Sequence, residues 1–311
     1  MVDQACKEIL SFSWGDEAID AALKYYALNT LPSVLPIFPT LSYVSCRLVG
    51  GKPEKTQPVA KVLMIIAASA DIHDDVIDRS THKFENKTLY GKFGDDLALL
   101  AGDALLTRGL TLLSNCKGLS VAQRKAVAGL VEKATLKMIK AEALETRLRK
   151  QHDLAAHEFF EDIKLKSSVA ELQCRIGGMV GNADGEDLDD VAEFGRVIGV
   201  LATVKEEFVD LQNPAELRHR LKYELPPYPV VYALQDERLK TQILPVIGEK
   251  NPTNKQLQSL VDAVLNSDAT QKLRVEMSKL GLKELGRNPL LQDREVAEEA
   301  VVLLEALAME M

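Results

Sequence analysis

The sequence predicts an all-α fold, and three observations carry the prediction. Long stretches rich in Ala, Leu, Glu and Lys place apolar residues three and four apart. Glycine and proline number only 18 and 12 in 311 residues, and no Asn-Gly hairpin turn occurs. Around Met138, Ile139 and Ala141, the charged Lys140, Glu142, Glu145 and Arg147 interleave in helical register. Helices are expected to stop at the three prolines of Leu31 to Pro39, at Gly50-Gly51-Lys52-Pro53, at the polar stretch Asn182 to Asp190, and at Pro226-Pro227-Tyr228-Pro229. No low-complexity linker or solenoid repeat divides the chain, so residues 1–311 are expected to form a single helical domain.

Composition narrows the function. At 46% hydrophobic and 27% charged the chain has enough apolar content for a sizeable core, which excludes a disordered class. Its 46 acidic against 38 basic residues give a net charge of −8, so nucleic acid is not an expected partner. Cysteines 6, 46, 116 and 174 lie far apart without a Cys-x-x-Cys pair, which argues against structural zinc or a disulfide framework and for a reducing, cytoplasmic setting. The longest apolar or small run, Val62 to Ala70, is too short to span a bilayer, so no integral membrane segment is expected.

The chemistry concentrates where that run continues, without a helix breaker, into Asp71-Ile72-His73-Asp74-Asp75-Val76-Ile77-Asp78. On a helix Asp74 and Asp78 stack one turn apart, Asp75 lies beside them, and Asp71 joins the stripe one turn earlier. Such crowding of like charge calls for solvent or cations; hard divalent ions such as Mg²⁺ take oxygen ligands and keep positions open for phosphate. A solvated acidic face is the alternative. The same spacing recurs at Glu206-Glu207-Phe208-Val209-Asp210, and two such stripes can face one another around a diphosphate. Lys166 and the basic run Arg218-His219-Arg220-Leu221-Lys222 then become candidates for phosphate oxygens. His73, next to the stripe, is expected to tune hydrogen bonds, because Mg²⁺ prefers oxygen. Gly177-Gly178 reads as close helix contact, and Trp14 and the Tyr25-Tyr26 pair read as packing.

Asp74-Asp75-Val76-Ile77-Asp78, Phe93-Gly94 and Leu100-Ala101-Gly102-Asp103-Ala104-Leu105-Leu106 resemble the first aspartate-rich region of the trans-isoprenyl diphosphate synthases. The likeness continues through Ala141-Glu142-Ala143-Leu144-Glu145, similar to the family's Gly-Gln-x-x-Asp, and Lys164-Leu165-Lys166-Ser167, similar to its Lys-Thr segment. Glu206 to Asp210 stands at the second acidic region, and Lys222-Tyr223-Glu224-Leu225-Pro226 resembles the following Gly-Lys-x-Thr-Leu-Pro. The resemblance covers roughly residues 30 to 235. It implies an all-α, isoprenoid-synthase-like helix bundle around a deep central cavity, usually a homodimer, with a heterodimer as the alternative. It also implies Mg²⁺ held by Asp74, Asp75, Asp78, Glu145, Glu206, Glu207 and Asp210. The reaction implied is ionisation of an allylic diphosphate and attack by isopentenyl diphosphate, with Lys83, Lys166 and Lys222 on the diphosphate.

The departures are asymmetric. The family's Gly-Gly-Lys-x-x-Arg-Pro, which supplies cations for isopentenyl diphosphate, is replaced by Pro32-Ser33-Val34-Leu35-Pro36-Ile37-Phe38-Pro39. A family histidine falls at Ala67, paired arginines fall at Lys83 and Phe84, and a glutamine falls at Thr203. Allylic diphosphate binding is therefore better supported than elongation, since an unpaired diphosphate binds poorly among apolar groups. Asp71, apolar in the family, is a candidate to stabilise or deprotonate a substrate cation, or else shares the solvent of the metal cluster. Ser69 and Ala70, one turn below the carboxylates, would leave room for a product longer than fifteen carbons, or serve helix packing. The readings in competition are a Mg²⁺-dependent prenyltransferase, a non-catalytic subunit of a heteromeric synthase, and a lyase or cyclase that does not use isopentenyl diphosphate.

Overall fold

The computed structural model describes residues 2–34, 37–83, 85–149 and 155–309. The all-α expectation holds. In chain order the helices are α1 (Val2–Ser11), α2 (Glu17–Asn29), α3 (Leu31–Val34), α4 (Ile37–Leu48), α5 (Gln57–Ile77), α6 (Leu89–Phe93), α7 (Asp95–Ser114), α8 (Val121–Leu148) and α9 (Ala156–Lys166). They continue with α10 (Ser168–Val180), α11 (Gly185–Gln212), α12 (Pro214–Tyr223), α13 (Tyr228–Ala233), α14 (Glu237–Ile247), α15 (Asn254–Leu265), α16 (Asp268–Arg287) and α17 (Arg294–Met309). The chain forms two compact units, Met1–Glu132 with Gln173–Leu188, and Lys133–Leu172 with Asp189–Met311.

In the first unit, α5 is held by α1, α4 and α7. Its buried face, with Met64, Ile65, Ala68 and Ile72, joins Leu23, Tyr26, Leu31, Ala101 and Leu105 in one apolar cluster. Contact with α7 is close because Gly102 has no side chain: a Cβ there would come within 2.4 Å of the His73 ring. His73 is thus packed against α7, with Nε2 3.4 Å from both the Leu99 carbonyl and the Asp103 carboxylate, as a neighbour of the acidic stripe. Gly177 similarly lets α10 approach α4, where a Cβ would meet the Ser42 carbonyl at 2.3 Å.

Two features were not expected. A short antiparallel ladder, β1 (His82–Lys83) with β2 (Asn86–Lys87), follows α5. Two-residue strands carry no alternation to read, and no Asn-Gly marks their turn. Helix α7 is long and apolar enough to cross a membrane by length and composition, whereas the sequence pointed to no such segment. Asp103 and Arg108 interrupt its apolar run without lowering its average hydropathy below that of a span. In the structure α7 packs on α5 and α2 through Ala98, Ala101, Leu105 and Leu113.

In the second unit, α16 packs against α17 and α13, and Leu211, Leu217, Val230, Ile243, Leu257 and Leu260 form an apolar cluster joining α11 to α15. All four cysteines are free thiols.

Candidate active site

The acidic stripe of the first unit sits on the last turns of α5. Asp71, Asp74 and Asp78 are partly exposed, whereas Asp75 is only 1% exposed. A carboxylate oxygen of Asp74 and one of Asp78 lie within 4.8 Å of each other, one turn apart. Partly exposed oxygens at this separation suit a hard divalent cation that retains water or phosphate ligands.

The end of α5 determines what faces Asp75. The Ser80 amide donates to the Asp75 carbonyl at 2.9 Å and the Arg79 amide to that of Val76 at 3.3 Å, with Arg79 at φ 57°. This left-handed termination reverses the chain without a glycine. The returning ladder is tied to α2, since Tyr25 donates to the Lys87 carbonyl and Asn86 to that of Asn29, both at 2.9 Å. Lys83 is thereby brought onto the stripe, 2.6 Å from Asp71 and 2.9 Å from Asp75. Tyr26 donates its hydroxyl to the other Asp71 oxygen at 2.9 Å. Burial pushes the Asp75 carboxyl up to about 7 despite the opposing pull of Lys83. Burial lowers and the carboxylates of Asp71, Asp75 and Asp74 raise the Lys83 pKa, and the carboxylates prevail. Asp71 is thus an ion-pair partner fixed by Tyr26, a residue that reads from sequence as packing alone.

Below the carboxylates, Ser69 is buried and Ala70 is exposed. Ala67 packs against the core of this unit. Leu35, Pro36 and Phe84 lie outside the described residues, as do the side chains of Val34, Ile37, Phe38 and Pro39.

Two charged clusters of the second unit contain residues of the sequence motifs. Lys166, at the end of α9, lies 2.7 Å from Glu145 and 3.6 Å from Glu142 on α8, and 3.8 Å from Asp162 one turn back. Asp162 is fully buried, and burial raises its carboxyl to about 8 against the attraction of Lys166. Burial also acts to raise Glu145, but Lys166 outweighs it and holds that carboxyl below its ordinary value. Asp162 carried no signal in the sequence; its place four residues before Lys166 is the only hint.

The other cluster joins α11 to α12. Asn213 caps α12 by accepting from the Ala215 and Glu216 amides, and Pro214 opens the helix. The short helix returns Arg220 to α11, where one guanidinium nitrogen lies 2.9 Å from Glu207 and 2.7 Å from Asp210. The second Glu207 oxygen accepts from the Tyr228 amide at 2.7 Å. Arg220 also donates to the Leu225 carbonyl at 3.1 Å, and Arg218 donates to Asn254 at 2.7 Å and to the Pro252 carbonyl at 3.2 Å. Two arginines of the basic run are therefore engaged inside the unit. Glu206 is exposed, and Lys222 is exposed with its ammonium 4.7 Å above the Tyr223 ring. Thr203 donates its hydroxyl to the Gly199 carbonyl at 2.9 Å.

The chain is similar to a (2E,6E)-farnesyl diphosphate synthase of Mycobacterium tuberculosis, 24% identical over 188 residues that make up 60% of this chain and 52% of the relative. A geranylgeranyl diphosphate synthase of Methanosarcina mazei is 23% identical over 185 residues, 59% of this chain and 57% of that one. The chain thus spans about half the length of these curated relatives in the matched region. Among solved structures, geranylgeranyl pyrophosphate synthetase from Pyrococcus horikoshii matches with a TM-score of 0.84 at 18% identity, covering 99% of this chain and 94% of that one. The Corynebacterium glutamicum geranylgeranyl pyrophosphate synthase complexed with isoprenyl diphosphate and magnesium matches at 0.83 and 17% identity, covering 100% and 98%. These likenesses establish an isoprenyl-synthase-like all-α fold. The polyprenyl synthetase family model matches residues 36–264, the stretch that holds every charged cluster described above, and the chain belongs to that family.

Proposed function

We propose that the chain is a metal-dependent prenyltransferase that ionises an allylic diphosphate and joins the prenyl group to isopentenyl diphosphate. The observation that carries this reading is the pairing of Asp74 and Asp78 at the end of α5, with carboxylate oxygens within 4.8 Å of each other, in a chain of the polyprenyl synthetase family. A magnesium ion held there would supply positive charge to a departing diphosphate. Lys166 lies 2.7 Å from Glu145, and Lys222 stands exposed; both are offered as cations for phosphate oxygens. Asp75 acts through Lys83, whose position it shares with Asp71. The exposed Leu99, Leu100 and Leu110 of α7 give an apolar surface for the homodimer that belongs to this reading. A product longer than fifteen carbons is part of the proposal, supported by the small, exposed Ala70 one turn below the carboxylates, while Ser69 beside it is buried. The farnesyl diphosphate synthase among the relatives bears a fifteen-carbon product in its name and marks the shorter alternative.

A second reading, an allylic diphosphate lyase or cyclase, is favoured by one observation. The cation-bearing Gly-Gly-Lys-x-x-Arg-Pro of the family is apolar here, from Pro32 to Pro39. The two are separated by incubating the chain with geranyl, farnesyl or geranylgeranyl diphosphate and Mg²⁺, with and without labelled isopentenyl diphosphate, and identifying products. Label in a lengthened prenyl diphosphate supports the transferase; hydrocarbons or alcohols formed without isopentenyl diphosphate support the second reading. No turnover of any substrate contradicts both.

A further inference from the structure

Glu207, Arg220 and Asp210 form a three-residue arrangement between α11 and α12. Arg220 is 5% exposed, and a single guanidinium nitrogen reaches both Glu207 at 2.9 Å and Asp210 at 2.7 Å. Its Nε donates to the Leu225 carbonyl at 3.1 Å and lies 3.5 Å from Glu224. Glu207 is 8% exposed and its remaining oxygen accepts the Tyr228 amide. Burial pushes Arg220 down and Glu207 up, but the carboxylates hold the guanidinium well above its ordinary value. A hard divalent ion needs carboxylate oxygens it can share with water or phosphate, in an open shell. Here one carboxylate has both oxygens committed, and a permanent positive charge already stands between the pair.

We propose that Arg220 is a built-in cation of the second acidic segment, occupying the place between Glu207 and Asp210 that a divalent ion would otherwise take. This rests on the metal-dependent reading above and sharpens it: Asp74 and Asp78 recruit metal, whereas Glu207 and Asp210 neutralise an arginine. The second segment keeps the spacing of a metal motif but uses it to seat α12 on α11. Arg220 is a positioning residue, and its signature is the number of metal ions bound.

The test counts Mn²⁺ bound by the full chain by electron paramagnetic resonance, with inorganic pyrophosphate as the anion. Asp210→Asn is expected to bind as many ions as the wild type, and Asp78→Asn fewer. Arg220→Gln, checked for folding by circular dichroism, is expected to gain a further Mn²⁺ that the Arg220→Gln, Asp210→Asn double variant lacks. Loss of an ion in Asp210→Asn, or a folded Arg220→Gln that gains none, overturns the proposal; should Arg220→Gln not fold, Asp210→Asn decides alone. A wild type that takes up no Mn²⁺ contradicts the metal-dependent reading instead, and the gain in Arg220→Gln still decides the role of Arg220.

Discussion

Lys83 and Asp71 meet at 2.6 Å, with Tyr26 holding the far oxygen of the same carboxylate at 2.9 Å. The pair gives the extra carboxylate of this acidic stripe a defined partner. Replacing Tyr26 by Phe keeps the buried ring and removes only the donor. Loss of one hydrogen bond to a charged group is expected to lower stability by about 1.5–3 kcal/mol, read as a lower urea midpoint at unchanged slope. An unchanged midpoint would mean that Asp71 is held by Lys83 alone.

Lys83→Met leaves Asp71 and the buried Asp75 facing each other without their cation. Removing one partner of such a buried arrangement is expected to lower stability by about 3–5 kcal/mol. Lys83→Met with Asp71→Leu is expected to recover part of that loss, because one of the stranded charges is gone. A double-mutant cycle by chemical denaturation measures the coupling, and additive losses would contradict it.

The helix that bears this stripe was legible in the sequence, while its partners were not. The apolar run Val62 to Ala70 flows without a breaker into Asp71 to Asp78, and local periodicity is enough to place Asp74 and Asp78 one turn apart. Tyr26 lies 45 residues from Asp71, so only tertiary packing brings them together. Lys83 arrives through a left-handed residue that is an arginine, where a glycine would have announced the turn. Arg220, inside the basic run Arg218 to Lys222, has the composition of a solvated surface and becomes interior because capped α12 folds back on α11. Spacing identified the carboxylates of the second segment; it carried no information on the arginine that occupies them.

Asp162 supplies a pH dependence. Its carboxyl is pushed up to about 8 from an ordinary 3.8, so from about pH 4 to about pH 8 the folded chain holds a proton that the unfolded chain releases. Stability therefore falls as pH rises across that window and levels off above it; Asp75, raised to about 7, adds to the slope. Asp162→Asn, which cannot ionise, is expected to flatten the decline and to be the more stable protein at pH 8.5, by roughly 1–3 kcal/mol. Urea midpoints across this range provide the check. A variant with the wild-type slope would assign the dependence to other groups.

Lys166→Ala removes the ammonium that Glu145, Glu142 and Asp162 surround. With the chain folded, diphosphate release is expected to slow by on the order of 100-fold, as for loss of one electrostatic stabiliser of a leaving group. Lys166→Arg, which keeps the charge, is expected to restore part of the rate. Equal rates in wild type and Lys166→Ala would make this lysine structural.

The most direct measurement of the central claim is inorganic diphosphate release from farnesyl diphosphate by wild type and Asp78→Asn, each with Mg²⁺ and with excess chelator. Release by the wild type with Mg²⁺, abolished by chelator and reduced at least about 100-fold in folded Asp78→Asn, is the result expected. Release that continues in chelator, or at the wild-type rate in Asp78→Asn, would contradict a metal-bearing role for the acidic end of α5.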